Sequence, residues 1–398
     1  MRSRKRRRLK NPRRARRYVV AFGVLLVLAA AWRAGLPAAL MARLPWAKPS
    51  AATRTVVPVG GVFRGNLQHT GAFPSAQVPE APRVLWAFKT GAPVSASPVV
   101  GDGLVYATDG DGGIHALEAR TGQEVWGRKV ASGVFGPPTL AGEFIYVGGS
   151  GSDLLALNAK TGDEVWRFAN LAGVVSAPAV SGGLVYAGSR DGALYAINAL
   201  TGVEKWRLRT KGMVLSSPAV DGKTVYVGSG DGGLYAVDAR TGAVRWRFQT
   251  GVGVSSSPAV VGRTVYFGSL DGNIYAVNAT TGREEWRFGT GRMVFASPAV
   301  DQGVVYAAGT DGQVYALDAG TGRMKWQFAT HNAVYSSPAV AAGTVFFGDY
   351  HGDFLALDAG TGREKWRFST EEGIFSSPVV VDGVIYFGGN DGFVYALN

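Results

Sequence analysis

The sequence predicts an all-β fold, an eight-bladed β-propeller of four-stranded antiparallel blades, on three observations. Tryptophan recurs every 40 residues, as Trp86, Trp126, Trp166, Trp206, Trp246, Trp286, Trp326 and Trp366. A Thr-Gly pair recurs with the same period, its Thr at 121, 161, 201, 241, 281, 321 and 361. A proline recurs at 98, 138, 178, 218, 258, 298, 338 and 378. An internal period of this length marks a repeat architecture. It overrides the two or three domains that 398 residues would otherwise suggest.

One repeat, residues 253–290, shows the four strands. The stretch 254–261 is a short strand whose Pro258 places it at a sheet edge, since proline donates no ladder bond. Residues 264–269 are rich in β-branched and aromatic side chains and form the second. Asp271-Gly272 supplies a tight hairpin. The third strand runs through Ala276 to Asn278, the Thr281-Gly282 turn follows, and the outer strand carries Trp286. The strand around Trp86 precedes any inner strand, and the last repeat, ending at Asn398, lacks an outer one. Pairing the two closes the ring and removes a free sheet edge.

An Ala at 116, 156, 196, 236, 276, 316, 356 and 396 leaves room for an indole. The burial of so much aromatic surface assigns the eight tryptophans to structural docking within the fold rather than to ligand stacking. Two residues after that Ala stands Glu118, Asn158, Asn198, Asp238, Asn278, Asp318, Asp358 or Asn398. Asn cannot act as a general base, whereas either type caps a turn. Asp111, Asp191, Asp231, Asp271, Asp311 and Asp391 likewise read as turn chemistry. Serines before the prolines, such as Ser216-Ser217, read as hydration of the inner channel, because no base is paired with them.

The chain before the array divides into four pieces. Residues 1–17 are a basic cytoplasmic segment, with eleven Lys and Arg between 2 and 17. Residues 18–36 are a transmembrane anchor or a signal segment. The uninterrupted apolar run 18–32 is 15 residues long, short of the ~20 that a spanning helix needs, and it lengthens only if Arg33 snorkels. Ala29-Ala30-Ala31 keeps signal cleavage open. Residues 37–61 form a Pro-rich linker, and 62–82 a strap packed on one face of the array, which occupies 83–398. His69 in the strap reads as a packing residue, with no second His at metal spacing. The basic flank orients the array to the extracytoplasmic side of a cell membrane crossed once.

The net charge of +12 belongs to the leader. Sixteen basic residues and no acid precede Glu80, leaving 41 − 16 = 25 basic against 29 acidic residues, a net of −4. No basic stripe for nucleic acid is expected on such an array. With no cysteine, disulfides, thiolate metal sites and cysteine nucleophiles are excluded.

The Ala-x-Asp/Asn-x-x-Thr-Gly-x-x-x-Trp pattern resembles the tryptophan-docking motif of the pyrroloquinoline-quinone (PQQ) dehydrogenase type of eight-bladed propeller. It occurs in seven copies, the first with Glu118 at the Asp/Asn position, and one degenerate copy at Trp86, where Ala81-Pro82 replaces Thr-Gly. Phe63-Arg64-Gly65-Asn66 and Thr70-Gly71 resemble the strap ahead of such arrays. The resemblance implies two branches: dehydrogenases that use PQQ and calcium, and non-catalytic propellers, among them the lipoprotein that assists outer-membrane β-barrel assembly. The chain departs from both. It has no vicinal Cys-Cys and no pocket-building insertion, since the spacing stays at 40, and it has no Cys to carry a lipid.

Departures from the repeat mark where a site could lie. By strand alternation, the outer-to-inner loops and the Asp-Gly hairpins share one face. Their irregular residues are Arg190, Lys211, Met213, Arg292, Met293, His331, Asn332, Tyr350, His351, Glu371 and Glu372. Asp349-Tyr350-His351 replaces the usual turn, and a metal or acid–base site there would need these groups to converge. No catalytic or metal residue is assigned. The expectation is an exported, membrane-anchored, monomeric, non-catalytic propeller that binds an envelope protein or peptide through this face. The alternative is a quinoprotein-like oxidoreductase, an alcohol or sugar dehydrogenase holding PQQ and calcium on the axis.

Overall fold

The structure, a computed structural model, describes residues 61–75, 77–130, 133, 136–149, 151, 153–169 and 172–398. The expected anchor at 18–36 and nearly all of the linker lie outside them. Among the described residues no helix is long and apolar enough to cross a membrane.

The strands form eight antiparallel sheets of four. Blades 1 to 7 each take consecutive strands. In blade 5, Ala259–Val261 pairs with Thr264–Gly268, that with Asn273–Asn278, and that with Glu284–Gly289. Blade 8 is composite: Val84–Lys89 supplies the outer strand beside Phe393–Leu397. The N–H of Arg83 donates to the Asn398 carbonyl at 2.8 Å, and the N–H of Asn398 returns the bond at 2.9 Å. The innermost strands touch in sequence around the axis, and Val99–Gly101 of blade 1 meets Val379–Val381 of blade 8, so the ring is closed.

The outer-strand indoles from Trp86 to Trp326 each hydrogen-bond the next blade. Trp86 of blade 8 donates from Nε1 to the Ala119 carbonyl of blade 1 at 2.9 Å. Trp126 donates to Ala159 at 2.9 Å, Trp166 to Ala199 at 2.8 Å and Trp206 to Ala239 at 3.1 Å. Trp246 donates to Ala279, Trp286 to Ala319 and Trp326 to Ala359, each at 2.9 Å. Trp86, Trp166, Trp286 and Trp366 are buried. Trp126, Trp206, Trp246 and Trp326 are half-buried, their bonds to the next blade nonetheless in place.

The Trp246 ring lies against Gly282, where φ is +69° and an added Cβ would sit 2.6 Å from the indole. Only glycine meets both demands, which explains the Thr-Gly period. The Tyr226 hydroxyl donates to the Ala279 carbonyl as well, at 3.3 Å. The double clasp repeats at every seam except one. Between blades 7 and 8, Phe346 brings no hydroxyl, and Trp366 donates to the Pro79 carbonyl at 2.9 Å.

The serines next to the prolines are buried, and this corrects their expected place on a hydrated channel wall. The N–H of Ser217 donates to Ser257 Oγ at 2.9 Å, that of Ser257 to Ser297 Oγ at 2.9 Å, and the series continues through Ser337 and Ser377 to Ser97. They stitch blade to blade around the axis. Asp238 caps its turn, its Oδ1 accepting from the N–H groups of Arg240 and Thr241, and the Arg245 guanidinium holds its carboxyl well below the usual range.

The segment 61–73 runs under the ring on the side opposite the Asp-Gly hairpins. Its carbonyls at Gly61, Leu67, Gln68, Thr70 and Gly71 accept from the N–H groups of Leu140, Val220, Val260, Val300 and Val340. These amides belong to innermost strands and would otherwise point, unpaired, into the axis. Arg64, fully enclosed and at φ +62°, donates from Nη1 to the Pro338 carbonyl and from Nη2 to the Pro298 carbonyl, both at 2.6 Å. Burial pushes its guanidinium down to about 9. Gly71 makes room for it, since a Cβ there would lie 2.2 Å from Nη2. His69 is buried beside it, with its ring 5.4 Å edge-on from Phe63.

Candidate site at the axial mouth

The strap closes one end of the axis, so any axial site opens on the other face. There the loop leading into each inner strand hydrogen-bonds the hairpin of its own blade: Gly230 N–H to the Met213 carbonyl, Leu270 N–H to Gly253, Thr310 N–H to Met293, Asn390 N–H to Gly373. These bonds place both irregular sets on one face. Lys211 and Asn332 bind the same hairpins that their loops do: Lys211 N–H meets Asp231 Oδ2 at 2.9 Å, and Asn332 Nδ2 meets Asp349 Oδ2 at 2.9 Å.

Asp349 explains the anomalous turn. In blades 3, 4, 5, 6 and 8 the hairpin Asp caps the N–H two residues on, as Asp271 Oδ1 does for Asn273 at 3.0 Å. Blade 7 has His351 at that position. The cap moves two residues upstream, where Asp349 Oδ1 accepts from both His351 and Asp353 N–H at 3.0 Å. The carboxylate is thereby buried, and Tyr350 is thrust outward, 53% exposed.

Of the irregular residues, Arg190, Lys211, Arg292, His331, His351, Glu371 and Glu372 are exposed, and Asn332 is half-buried. Among the described residues no hydrogen bond or ion pair joins His331, His351, Glu371 and Glu372 to one another, and Glu371 exerts its charge on Tyr395 of the blade 8 flank. No group of three or more His, Asp or Glu among the described residues is arranged to hold a metal ion.

What converges is aromatic. Tyr335 lies 5.2 Å edge-on from Phe375, 5.7 Å from Phe295 and 6.2 Å from Tyr350, and Tyr350 stacks on Phe375 at 5.9 Å. Phe295, Tyr335 and Phe375 are half-buried at the top of the inner strands of blades 6, 7 and 8. The sequence reading missed these three. The signal was one column of the repeat, 95, 135, 175, 215, 255, 295, 335 and 375, which reads Ser, Phe, Val, Leu, Ser, Phe, Tyr, Phe. Met213 and Met293 extend the apolar surface, each about half exposed. The mouth therefore offers an aromatic wall over blades 6 to 8, and no nucleophile–base pair is found there among the described residues.

A family model described as Beta-alanine-activating enzyme, beta-propeller matches residues 219–398, and one described as Outer membrane protein assembly factor BamB matches residues 78–175. No curated protein matches the sequence. Among solved structures, BamB from Moraxella catarrhalis is similar with a TM-score of 0.72 and 20% identity, over 80% of this chain and 99% of that one. The quinohemoprotein alcohol dehydrogenase from Comamonas testosteroni gives 0.75 and 17%, over 85% and 80%. The computationally designed Ika8 protein gives 0.72 and 19%, over 79% and 99%. At such identities the likeness is one of fold. The chain is an eight-bladed propeller, similar in fold both to BamB and to the quinohemoprotein alcohol dehydrogenases.

Proposed function

We propose that the chain is a non-catalytic binding propeller of the cell envelope that takes a protein or peptide partner at its axial mouth. The supporting observation is the aromatic cluster of Phe295, Tyr335, Tyr350 and Phe375 on a rigid ring, with the far end of the axis closed. Exposed aromatic surface of this kind serves association, since rings contribute large contact area at little entropic cost. The 11 basic residues in 2–17, followed by the apolar run, favour an N-terminal anchor with the propeller outside the cytoplasm.

The oxidoreductase reading requires PQQ and calcium. The donor set at the mouth does not fit them: the carboxylates of Asp349, Glu371 and Glu372 do not converge, and the wall around the axis is Ser, Val, Leu, Phe and Tyr. No step is derived through that cofactor.

The test places a photo-crosslinking side chain at Tyr350 in growing cells, with Arg240 in a turn on the opposite face as comparator. A defined adduct with an exported protein at 350 alone is expected. Equal adducts at both positions, or dye-linked alcohol or sugar oxidation by purified protein given PQQ and Ca²⁺, would overturn the reading.

A further inference from the structure

On blades 2, 3, 5 and 7 the outer strand carries a Glu and, three residues on, an Arg that grips it through two nitrogens. The pairs are Glu164–Arg167, Glu204–Arg207, Glu284–Arg287 and Glu364–Arg367. On blades 3 and 5 the same guanidinium lies over a tyrosine of the third strand, 5.2 Å above Tyr195 and 5.5 Å above Tyr275. Those tyrosines donate to a hairpin carboxylate, Asp191 and Asp271.

Blade 1 keeps the Glu and loses the rest. Gly127 stands where the Arg would be, and His115 where the Tyr would be. A cavity of about 330 Å³ opens at that spot, lined by Asp109, Asp111, Gly113, His115, Gly127 and Lys129 among others. The smaller imidazole spans two carboxylates, with Nδ1 2.8 Å from Glu124 Oε1 and Nε2 3.1 Å from Asp109 Oδ2. Asp109 Oδ1 has also taken over the turn, accepting from Asp111 and Gly113 N–H at 3.0 and 2.7 Å. Asp111 is thus released from both duties its counterparts perform, capping the turn and receiving a tyrosine hydroxyl. Glu124 is the only one of the five glutamates in this position without its own arginine.

We propose that this cavity binds a guanidinium cation supplied from outside the chain, in the place that blades 2, 3, 5 and 7 fill with an arginine of their own. The planar fork of a guanidinium matches a carboxylate edge, which a spherical ammonium does not. Lys129 on the rim is no obstacle: Arg209 occupies the same register on blade 3, where Arg207 is seated. Arg128 also lines the cavity, but its guanidinium is engaged by blade 2, donating to the Gly162 carbonyl at 3.1 Å and meeting Glu164 at 3.4 Å. The guanidinium belongs to an arginine side chain of a partner or to a small free cation, and the chemistry is common to both. The site lies on the flank of blade 1, and its existence does not depend on the axial mouth.

The full chain carries four histidines, and their imidazole NMR signals separate the site from the rest of the molecule. Agmatine, a blocked Ala-Arg-Ala peptide and butylamine are titrated in turn. A saturable shift confined to His115 is expected, with a midpoint at least about ten-fold lower for the guanidinium ligands than for butylamine. Glu124→Gln should raise that midpoint about ten-fold, and Gly127→Arg should abolish the shift by seating an arginine in cis. Gly127→Ala puts a Cβ 2.3 Å from Glu124 Oε1, so the flexible carboxylate must swing aside; the variant should fold as the wild type does and keep a weakened but saturable shift, which shows that the strand tolerates a side chain. Agmatine binding as tightly as the peptide assigns a small cation; a tighter peptide assigns a partner's arginine. No saturable shift, equal midpoints for butylamine and agmatine, or unchanged binding by both Gly127→Arg and Glu124→Gln would overturn the proposal.

Discussion

Arg64 and Pro338 are 274 positions apart in sequence and are joined by a 2.6 Å hydrogen bond from the guanidinium to the carbonyl oxygen. A second such bond reaches Pro298, and Arg64 Nε has no partner. The cation thus ties the strap to the inner strands of blades 6 and 7 where they converge on the axis. Hydrogen bonds of charged donors contribute roughly 1.5–3 kcal/mol each. Arg64→Ala is expected to cost about 3 kcal/mol in urea unfolding and to speed amide exchange at Val300 and Val340, whose N–H groups bond the strap. A cost under about 1 kcal/mol, with exchange unchanged, would show that the strap is held by its backbone alone.

The seam between blades 4 and 5 tests the docking geometry. Trp246→Ala removes a packed indole and its bond to Ala279, and should cost roughly 3–5 kcal/mol. Gly282→Ala should cost a comparable amount, since the new methyl meets the indole and the backbone is left-handed there. Urea midpoints of the two single variants and the double variant report the coupling. If the glycine serves the indole, the double variant loses less than the sum of the two.

Acid should loosen the strap before it unfolds the ring. Burial, reinforced by Arg64, pushes the His69 imidazole down to about 3. In the unfolded chain it titrates near 6.5, so between these values the unfolded state binds the extra proton. The stability this histidine confers is complete above about pH 6.5 and is lost as pH falls toward 3. From pH 7 to pH 5 the loss is about 2 kcal/mol. Amide exchange at Val260, bonded to the carbonyl of Gln68, should accelerate over that interval in the wild type and much less in His69→Gln.

Tyr350→Ala and Phe375→Ala separate binding from folding. Tyr350 is more than half exposed, so its loss should change stability by under about 0.5 kcal/mol while removing the adduct formed by a crosslinker placed instead at Met293, which is about half exposed on the same face. An intact adduct in both variants would place the partner elsewhere on the ring.

The ring was legible in the sequence because a 40-residue period fixes strand, turn and indole together. Trp246, Gly282 and Ala279 recur because each seam needs all three. The composite eighth blade followed from Trp86 standing ahead of any inner strand. The site was harder to read. Asp349-Tyr350-His351 stood out only as an anomalous turn, and that it is a displaced turn cap stayed hidden because the hydrogen bonds between positions 349, 351 and 353 are invisible without coordinates. Phe295, Tyr335 and Phe375 escaped notice because each is ordinary within its own repeat, and only their meeting across three blades makes a wall. His115 and Gly127 passed unremarked for the same reason, being twelve residues apart yet Cα partners in adjacent strands.

The composite blade also sets the timing of assembly during synthesis. Of the described strands, Val84–Lys89 comes first in the sequence and its partner Phe393–Leu397 comes last. Until that last strand is made the early strand has an unsatisfied edge, and Trp86 can dock on blade 1 without a sheet behind it. A nascent chain halted just short of that final strand therefore remains an open arc, with its first and last blades both exposed to proteases and chaperones. The ring can close only once residues 393–397 are available to pair with residues 84–89.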